Sequence, residues 1–405
     1  MNIRLVNYTA YPFHGYGGAE LYIYNYAKEL IKNGHNVEIV CNSYDEGIAK
    51  HQQFSQINYV FIGKPFYGKY KKVLGNEVYI RKIYNKSRIA SFLYRFSFWV
   101  GLIRYQLSAP SKFVHAFSDC GFVFTFFPKL ALISTIFDIE NRGLRKIGLW
   151  GIFIPIKKFY YSATTSRIVK KSMIVTSGGK DNTNELVDIF SCNQKKIKIL
   201  ANAINKESLQ NFNHGDKGTL VQNINFVSVG RLEELKNPLL LLDTFKELLQ
   251  KFNSYKYCLN IIGDGPLRDR VLEKIAIINK DYPNSISLKF NVSEEEKIKL
   301  LLASDLYINL AETRYMLLVV MEAMACSLPI FSRYPLDEVV QQNLNGVIYK
   351  SDNPQIIANE IFKCISSNDL KSMGDESLKI IRDFTWSNTA KQGEEMYSNL
   401  LFTQS

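Results

Sequence analysis

The sequence predicts an α/β protein built as two doubly wound, Rossmann-like domains, and three observations carry that prediction. Short apolar runs of strand length alternate with amphipathic helical patterns, the signature of parallel sheets assembled from βαβ units. Near the middle this alternation gives way to a polar stretch, Lys206–Gly218, which includes His214-Gly215-Asp216-Lys217-Gly218 and has the composition of a linker. The length of 405 residues suits two or three domains with substantial cores. Two such domains imply an intervening cleft, where ligands usually bind.

In the first half, Ile3–Tyr8 reads as a strand, followed by the loop Tyr11–Gly18. A helix over Ala19–Lys32 comes next, closed by Gly34, and Asn36–Cys41 returns as the second strand. In the second half the expected strands are Asn225–Val229, Tyr257–Ile262, Ile286–Phe290 and Leu306–Leu310. Helices are expected over Pro238–Gln250, Leu267–Ile278, Glu294–Leu302, Leu318–Ala325 and Trp386–Leu401.

The net charge of +12 is unevenly placed. Residues 1–205 carry 28 Lys/Arg against 12 Asp/Glu, and the remainder 22 against 26. A basic half points to an anionic partner. From Lys64 to Tyr105, ten Lys/Arg are interleaved with eleven aromatic residues and a single acid, Glu77. Lys69, Lys71, Lys72, Arg81, Lys82, Arg88, Arg95 and Arg104 would meet anionic headgroups while rings such as Phe96 and Trp99 settle at the polar–apolar boundary. The plainer alternative is that the rings are core and the cations a solvated face. No helix-turn-helix, RNP-like or zinc motif accompanies the charge, so no nucleic-acid partner is expected.

The six cysteines are scattered without a C-x-x-C pair, which fits a reducing compartment and no metal site. The opening Met1–Tyr8 lacks a secretory apolar stretch, and no run is long enough for a spanning helix. The expectation is a cytoplasmic protein, peripheral on the inner face of the membrane.

Gly15-Tyr16-Gly17-Gly18 lies between the first strand and first helix, where glycines let backbone approach a ligand and the helix start offers free N–H groups. A tight turn would look the same. The third glycine of a dinucleotide fingerprint is missing, which argues against a dehydrogenase. At the end of a second-half strand, Gly230-Arg231 is followed by Lys236. Two permanent cations there suit a diphosphate. Gly263-Asp264-Gly265-Pro266 joins another strand to another helix, either facing a ligand or merely turning the chain.

Taken together these segments resemble glycosyltransferase family 4, the retaining GT-B enzymes that use nucleoside-diphosphate sugars. The resemblance rests on Gly17-Gly18-Ala19-Glu20, Gly34-His35-Asn36-Val37, Ser177, Asn202-Ala203-Ile204-Asn205, Val229-Gly230-Arg231 with Lys236, Ile262–Pro266, and Glu322-Ala323-Met324-Ala325 with Leu328-Pro329. Glu338 and Asn345-Gly346 match weaker elements.

The resemblance implies an acceptor-side, membrane-facing domain at 1–205, a donor domain at 206–385, and a helix at 386–405 crossing back to the first. It also implies a glycan or lipid-linked acceptor, no cofactor beyond the nucleotide-sugar co-substrate, and no metal. Donor contacts fall to Gly17, Gly18, Gly230, Arg231, Lys236, Gly263, Gly265 and Glu322, with Glu322 accepting from the ribose hydroxyls. Arg231 and Lys236 would stabilise the leaving diphosphate.

Two positions depart from the family. Arg314 stands where the family has the first glutamate of its E-x7-E motif, with Tyr315-Met316-Leu317 replacing Gly-Phe-Gly. In Thr135-Ile136-Phe137-Asp138, Phe137 stands at a histidine position. Three readings stand open. Arg314 recognises an anionic donor sugar and acts at the catalytic end; Glu312 swings into the missing carboxylate's place; or the protein binds without transferring. Sugar- or acceptor-side candidates are Glu312, His115 and Asp138, with His115 also readable as packing beneath the site.

Overall fold

The computed structural model of the chain describes all residues except 15–17, 45–48, 64–87, 138–153, 205–222, 316, 338, 368 and 403–405. Lys206–Gly218, Gly17, Asp138, Met316 and Glu338 therefore lie outside the described residues, as does most of the basic, aromatic stretch beginning at Lys64. The chain forms two compact units, Met1–Asn202 with Trp386–Ser405, and Ala203–Thr385.

The first unit holds an eight-stranded sheet in the order β3-β4-β2-β1-β5-β6-β7-β8. Its strands are β1 (Asn2–Val6), β2 (Asn36–Asn42), β3 (His51–Phe54), β4 (Ile57–Ile62), β5 (Phe113–Phe117), β6 (Ala131–Thr135), β7 (Ile174–Ser177) and β8 (Ile197–Ile199). All neighbours are parallel except the β3–β4 edge hairpin. Helix α1 (Gly18–Lys32) buries Tyr22, Ile23, Tyr26, Ala27 and Leu30, a stripe at helical spacing. It ends at Gly34, whose φ of 85° is the left-handed stop the sequence predicts.

Helices α2 (Arg88–Ser108), α3 (Ile154–Lys171) and α4 (Lys180–Phe190) follow in this unit. No described helix is long and apolar enough to cross a membrane.

The second unit holds an all-parallel six-stranded sheet, β11-β10-β9-β12-β13-β14. The strands are β9 (Asn223–Val229), β10 (Lys256–Ile262), β11 (Ile286–Lys289), β12 (Leu306–Asn309), β13 (Ile330–Ser332) and β14 (Gly346–Ile348). The helices are α5 (Pro238–Lys251), α6 (Arg268–Asp281), α7 (Glu294–Leu302), α8 (Leu318–Ala325), α9 (Pro354–Ser367) and α10 (Leu370–Ile381). Chain order reverses between β9 and β12, and ligands bind outside the carboxyl ends of strands at such a switch point.

Strand β9 buries Ile224, Phe226 and Val227, and α5 lays Leu241, Leu242, Phe245 and Leu248 over the first two. The last helix, α11 (Trp386–Phe402), packs on α1. Gly393 is what permits the contact: a methyl group there would sit 1.8 Å from the Tyr26 hydroxyl. The sequence expectation of two parallel-sheet α/β units holds.

Candidate functional site

The loop after β9 is fixed by its own backbone. Gly230 N donates to Ile262 O at 3.0 Å, Leu232 N to Asp264 O at 3.0 Å, and Leu267 N to Leu232 O at 3.0 Å. A Cβ at Gly263 would fall 1.9 Å from Gly230 O, and one at Gly265 2.4 Å from Leu232 O. The glycines at 263 and 265 thus allow one loop to lie directly on another. The space expected to receive a ligand at these two positions is filled by residues 230–232, so they act on the site through that loop.

On this platform the stem of Lys236 crosses Gly230, where a methyl group would be 3.9 Å from Lys236 Cγ. Arg231 is exposed, its Nε 3.7 Å from Glu233. Both cations stand at the carboxyl end of β9, at the switch point.

Asn237 then ties this loop to the one after β12. Its left-handed conformation (φ 50°) places it directly before Pro238, the first residue of α5. Its amide donates to Leu310 O at 2.9 Å and Glu312 Oε1 at 3.4 Å, while Glu312 N donates to Leu235 O at 2.8 Å.

The Glu312 carboxylate is fully engaged. Arg333 Nη2 lies 2.8 Å from Oε1, and the Tyr334 hydroxyl donates to Oε2 at 3.1 Å. This tells against the reading in which Glu312 swings toward a sugar, because leaving would give up three contacts and take from Arg333, only 2% exposed, one of its two carboxylate partners. Arg333 Nη2 also meets Asp352 at 2.7 Å, whereas its Nε and Nη1 find no hydrogen-bond partner among the described residues.

Arg314 is exposed, with its guanidinium 5.7 Å from the Tyr334 ring centre; Lys350 lies 5.4 Å from the same centre. Leu336 and Asp337, at φ 51° and 58°, carry the strained turn beyond Tyr334, and Asp337 N donates to Arg314 O.

Helix α8 presents Glu322. Lys297 on α7 reaches its carboxylate at 2.8 Å and that of Glu294 at 2.7 Å. Burial pushes the Glu322 carboxyl above its ordinary value, and the Lys297 ammonium offsets part of that rise. Sequence reasoning missed Lys297, Asn237, Arg333 and Tyr334. Within Glu294-Glu295-Glu296-Lys297 nothing separates an inward lysine from a solvated charge run except helical spacing against Leu301.

In the first unit, Gly18 opens α1 exposed, and buried Glu20 accepts from Thr9 Oγ1 at 2.7 Å. His115 requires a correction as a substrate-side candidate: it is 0% exposed. Its Nδ1 lies 2.7 Å from the Tyr397 hydroxyl of α11 and its Nε2 2.7 Å from Thr135 Oγ1. Burial lowers its pKa to about 3, so it is neutral. Phe137 packs against Tyr22 and Phe117, closing an aromatic cluster rather than offering a polar group.

In the described part of the basic, aromatic stretch several rings are core, the plainer of the two alternatives the sequence leaves open. Phe98 and Tyr105 face the core, Trp99 packs on Phe122, and Arg95 pairs with buried Asp119. Among the described side chains of α2, the exposed ones are Phe96 at 51%, Ile103 at 40%, Leu107 at 70%, Arg104 and Ser108. Among the described residues no group of His, Cys, Asp and Glu could hold a metal.

Family models match along nearly the whole chain. Residues 16–208 match Glycosyltransferase Family 4 and residues 210–378 match Glycosyl transferases group 1. The chain belongs to the family 4 type of GT-B glycosyltransferase.

An uncharacterized glycosyltransferase of Methanocaldococcus jannaschii is 26% identical over 60% of this chain and 63% of its own length. Sucrose-phosphate synthase of Thermosynechococcus elongatus shares the fold of this glycosyltransferase with a TM-score of 0.75, at 14% identity over 99% of each chain. Anabaena HepE, solved with UDP, does so with a TM-score of 0.67, at 14% identity over 98% of this chain and 100% of its own.

Proposed function

We propose that this glycosyltransferase moves a glycosyl group, with retention, from a nucleoside-diphosphate sugar to a glycan acceptor carried on lipid at the inner face of the membrane. The observation that carries this reading is the pair of cations, Arg231 and Lys236, on the loop at the carboxyl end of β9, with Glu322 close enough for Tyr307, whose hydroxyl donates to Val229 O at the end of the same strand, to feel its charge. Arg231 and Lys236 supply two permanent charges for a diphosphate leaving group, the position where electrostatic stabilisation acts most strongly. Glu322 supplies acceptor lone pairs for two vicinal ribose hydroxyls. The UDP held by HepE, a protein of the same fold, agrees with such a donor.

The lipid-linked acceptor is supported by α2, whose exposed Phe96, Ile103 and Leu107 form the apolar face of a helix suited to lie in a membrane interface, with Arg104 for anionic headgroups. Binding to anionic vesicles should weaken with salt and fall further in a Phe96→Ser/Leu107→Ser variant. A protein that ignores vesicles altogether refutes the lipid-surface part of the reading.

A second reading, binding without transfer, draws on one observation: Glu312 is held by Arg333, Tyr334 and Asn237, leaving Arg314 where the family has a carboxylate. The deciding experiment measures release of nucleoside diphosphate from a panel of UDP-, GDP- and ADP-sugars with membrane extract as acceptor. Release from one donor, dependent on acceptor, supports transfer. Tight nucleotide binding with no release from any donor supports the second reading.

A further inference from the structure

The ammonium of Lys297 sits between two carboxylates, 2.8 Å from Glu322 and 2.7 Å from Glu294, with only 11% of its side chain exposed. Lys297 lies on the first turn of α7, capped by Ser293, which accepts from Glu296 N at 3.1 Å. That cap fixes the helix start and hence the direction of the lysine stem. Glu322 lies on α8, behind the switch point, while Glu294 is 76% exposed. A surface staple between neighbouring turns would need only the Glu294 contact; here the same ammonium reaches inward to the half-buried Glu322.

We propose that Lys297 is a positioning residue for the nucleotide: it holds the Glu322 carboxylate in the acceptor state and orientation that a ribose diol requires, and Glu294 tunes that hold by competing for the same ammonium. The inference rests on the donor-binding reading of Glu322. A carboxylate accepts from two hydroxyls only while ionised; once protonated it gains a donor and loses part of its acceptor capacity.

Among the described residues the charged and titratable groups that face Glu322 are three. Lys297 favours its charge and Glu294 opposes it, both from α7, and from β12 Tyr307 lies close enough to feel its charge. The Tyr307 hydroxyl is already committed to Val229 O at 3.0 Å, so among these groups Lys297 is the one that reaches the carboxylate, as an ion-pair contact to the buried Oε2. Burial raises the Glu322 carboxyl and Lys297 pulls it back. Removing the lysine therefore moves the loss of the carboxylate to higher pH, and removing Glu294 moves it lower.

The test is a nucleotide titration by calorimetry between about pH 5 and 9, with UDP, GDP and ADP each used as probe, on wild type, Lys297→Met, Lys297→Arg, Glu294→Gln and Glu322→Gln. The phosphate's own titration is common to all five proteins and cancels in affinity ratios.

Toward the acid end of that range Lys297→Met should bind several-fold more weakly than wild type, because without the ammonium its Glu322 takes up a proton at higher pH, and the two should converge toward the alkaline end. Lys297→Arg should restore the wild-type profile, Glu294→Gln should move it the opposite way, and Glu322→Gln should flatten it. Because Glu294 is exposed, its variant folds whatever Lys297→Met does, and it carries the test alone if the latter is unstable. Profiles for Glu294→Gln and Lys297→Met that run parallel to wild type overturn the inference while leaving donor binding intact. Wild type that binds none of the three nucleotides overturns the parent reading, and with it this one.

Discussion

The deepest consequence of the first unit's packing concerns His115. A consistent donor order runs through its surroundings: Tyr26 donates to Tyr397 at 2.9 Å, Tyr397 to His115 Nδ1, His115 Nε2–H to Thr135, and Thr135 to Thr176. Protonating His115 puts a second N–H, at Nδ1, against the Tyr397 hydroxyl that is already donating to it, in a fully buried site, and the Tyr26–Tyr397 half of the order must reverse.

The folded pKa is about 3, against 6.5 when unperturbed. A histidine lowered on folding is charged more readily in the unfolded chain, so protons favour unfolding as pH falls below 6.5, and the loss continues down to about 3. Integrating between those two values gives about 2 kcal/mol lost by this unit between roughly pH 7 and 5.

Hydrogen–deuterium exchange of the Trp386–Phe402 amides at each pH reads the opening free energy where Tyr397 anchors α11. His115→Gln should lower stability at neutral pH by about 1–3 kcal/mol, from imperfectly paired hydroxyls, yet lose most of the acid slope. Equal slopes in the two proteins would refute the assignment of the acid sensitivity to this histidine.

Arg231→Ala and Lys236→Ala should each weaken nucleotide diphosphate binding by about ten- to a hundredfold, as loss of one charge-assisted contact does, with the steeper fall at low salt. Calorimetry at two ionic strengths checks both. Gly263→Ala drives a methyl group to within 1.9 Å of Gly230 O, so the 230–237 loop must move. The expected cost of about 2–4 kcal/mol is read by urea unfolding, with nucleotide binding lost alongside. Gly393→Ala collides with the Tyr26 hydroxyl at 1.8 Å and should raise exchange throughout α11 while leaving nucleotide affinity of the second unit within about twofold.

Much of this architecture was legible because periodicity and punctuation agreed. Glu294–Leu302 and Leu318–Ala325 fold over the expected residues, since Ser293 caps one and Leu-Pro at 328–329 stops the chain beyond the other. Asn237-Pro238 marks the start of α5 for the same reason. Long-range pairing was not legible. The sequence shows a run of acids ending in Lys297, and only the fold brings Glu322 from α8 to meet it. Arg333 likewise follows a three-residue strand with nothing local to announce that Glu312, 21 positions earlier, is its partner. His115 misleads for the opposite reason: its partner Tyr397 is 282 residues away, and that contact turns a reactive-looking residue into a sealed one.

The arrangement around Glu312 bears directly on whether the departures at 314 and 137 silence the proposed transfer. Moving Glu312 toward a sugar would leave Arg333 with Asp352 alone and break the bonds of the same carboxylate to Tyr334 and Asn237, three contacts given up for the one or two a sugar hydroxyl returns. Glu312 therefore stays, and no side chain described at the end of β12 supplies the family's first glutamate. A retaining transfer can do without it. The oxygen leaving the anomeric carbon belongs to a diphosphate, whose negative charge stays within bonding distance of the cationic sugar as the bond breaks. What such a reaction requires of the protein is that this charge be held in place and prevented from recombining unproductively. Arg231 and Lys236 are placed on a loop whose backbone is locked to its neighbour by Gly263 and Gly265. In the proposed transfer this cationic platform, rather than a carboxylate facing the sugar, is thus the part of the site on which turnover would depend.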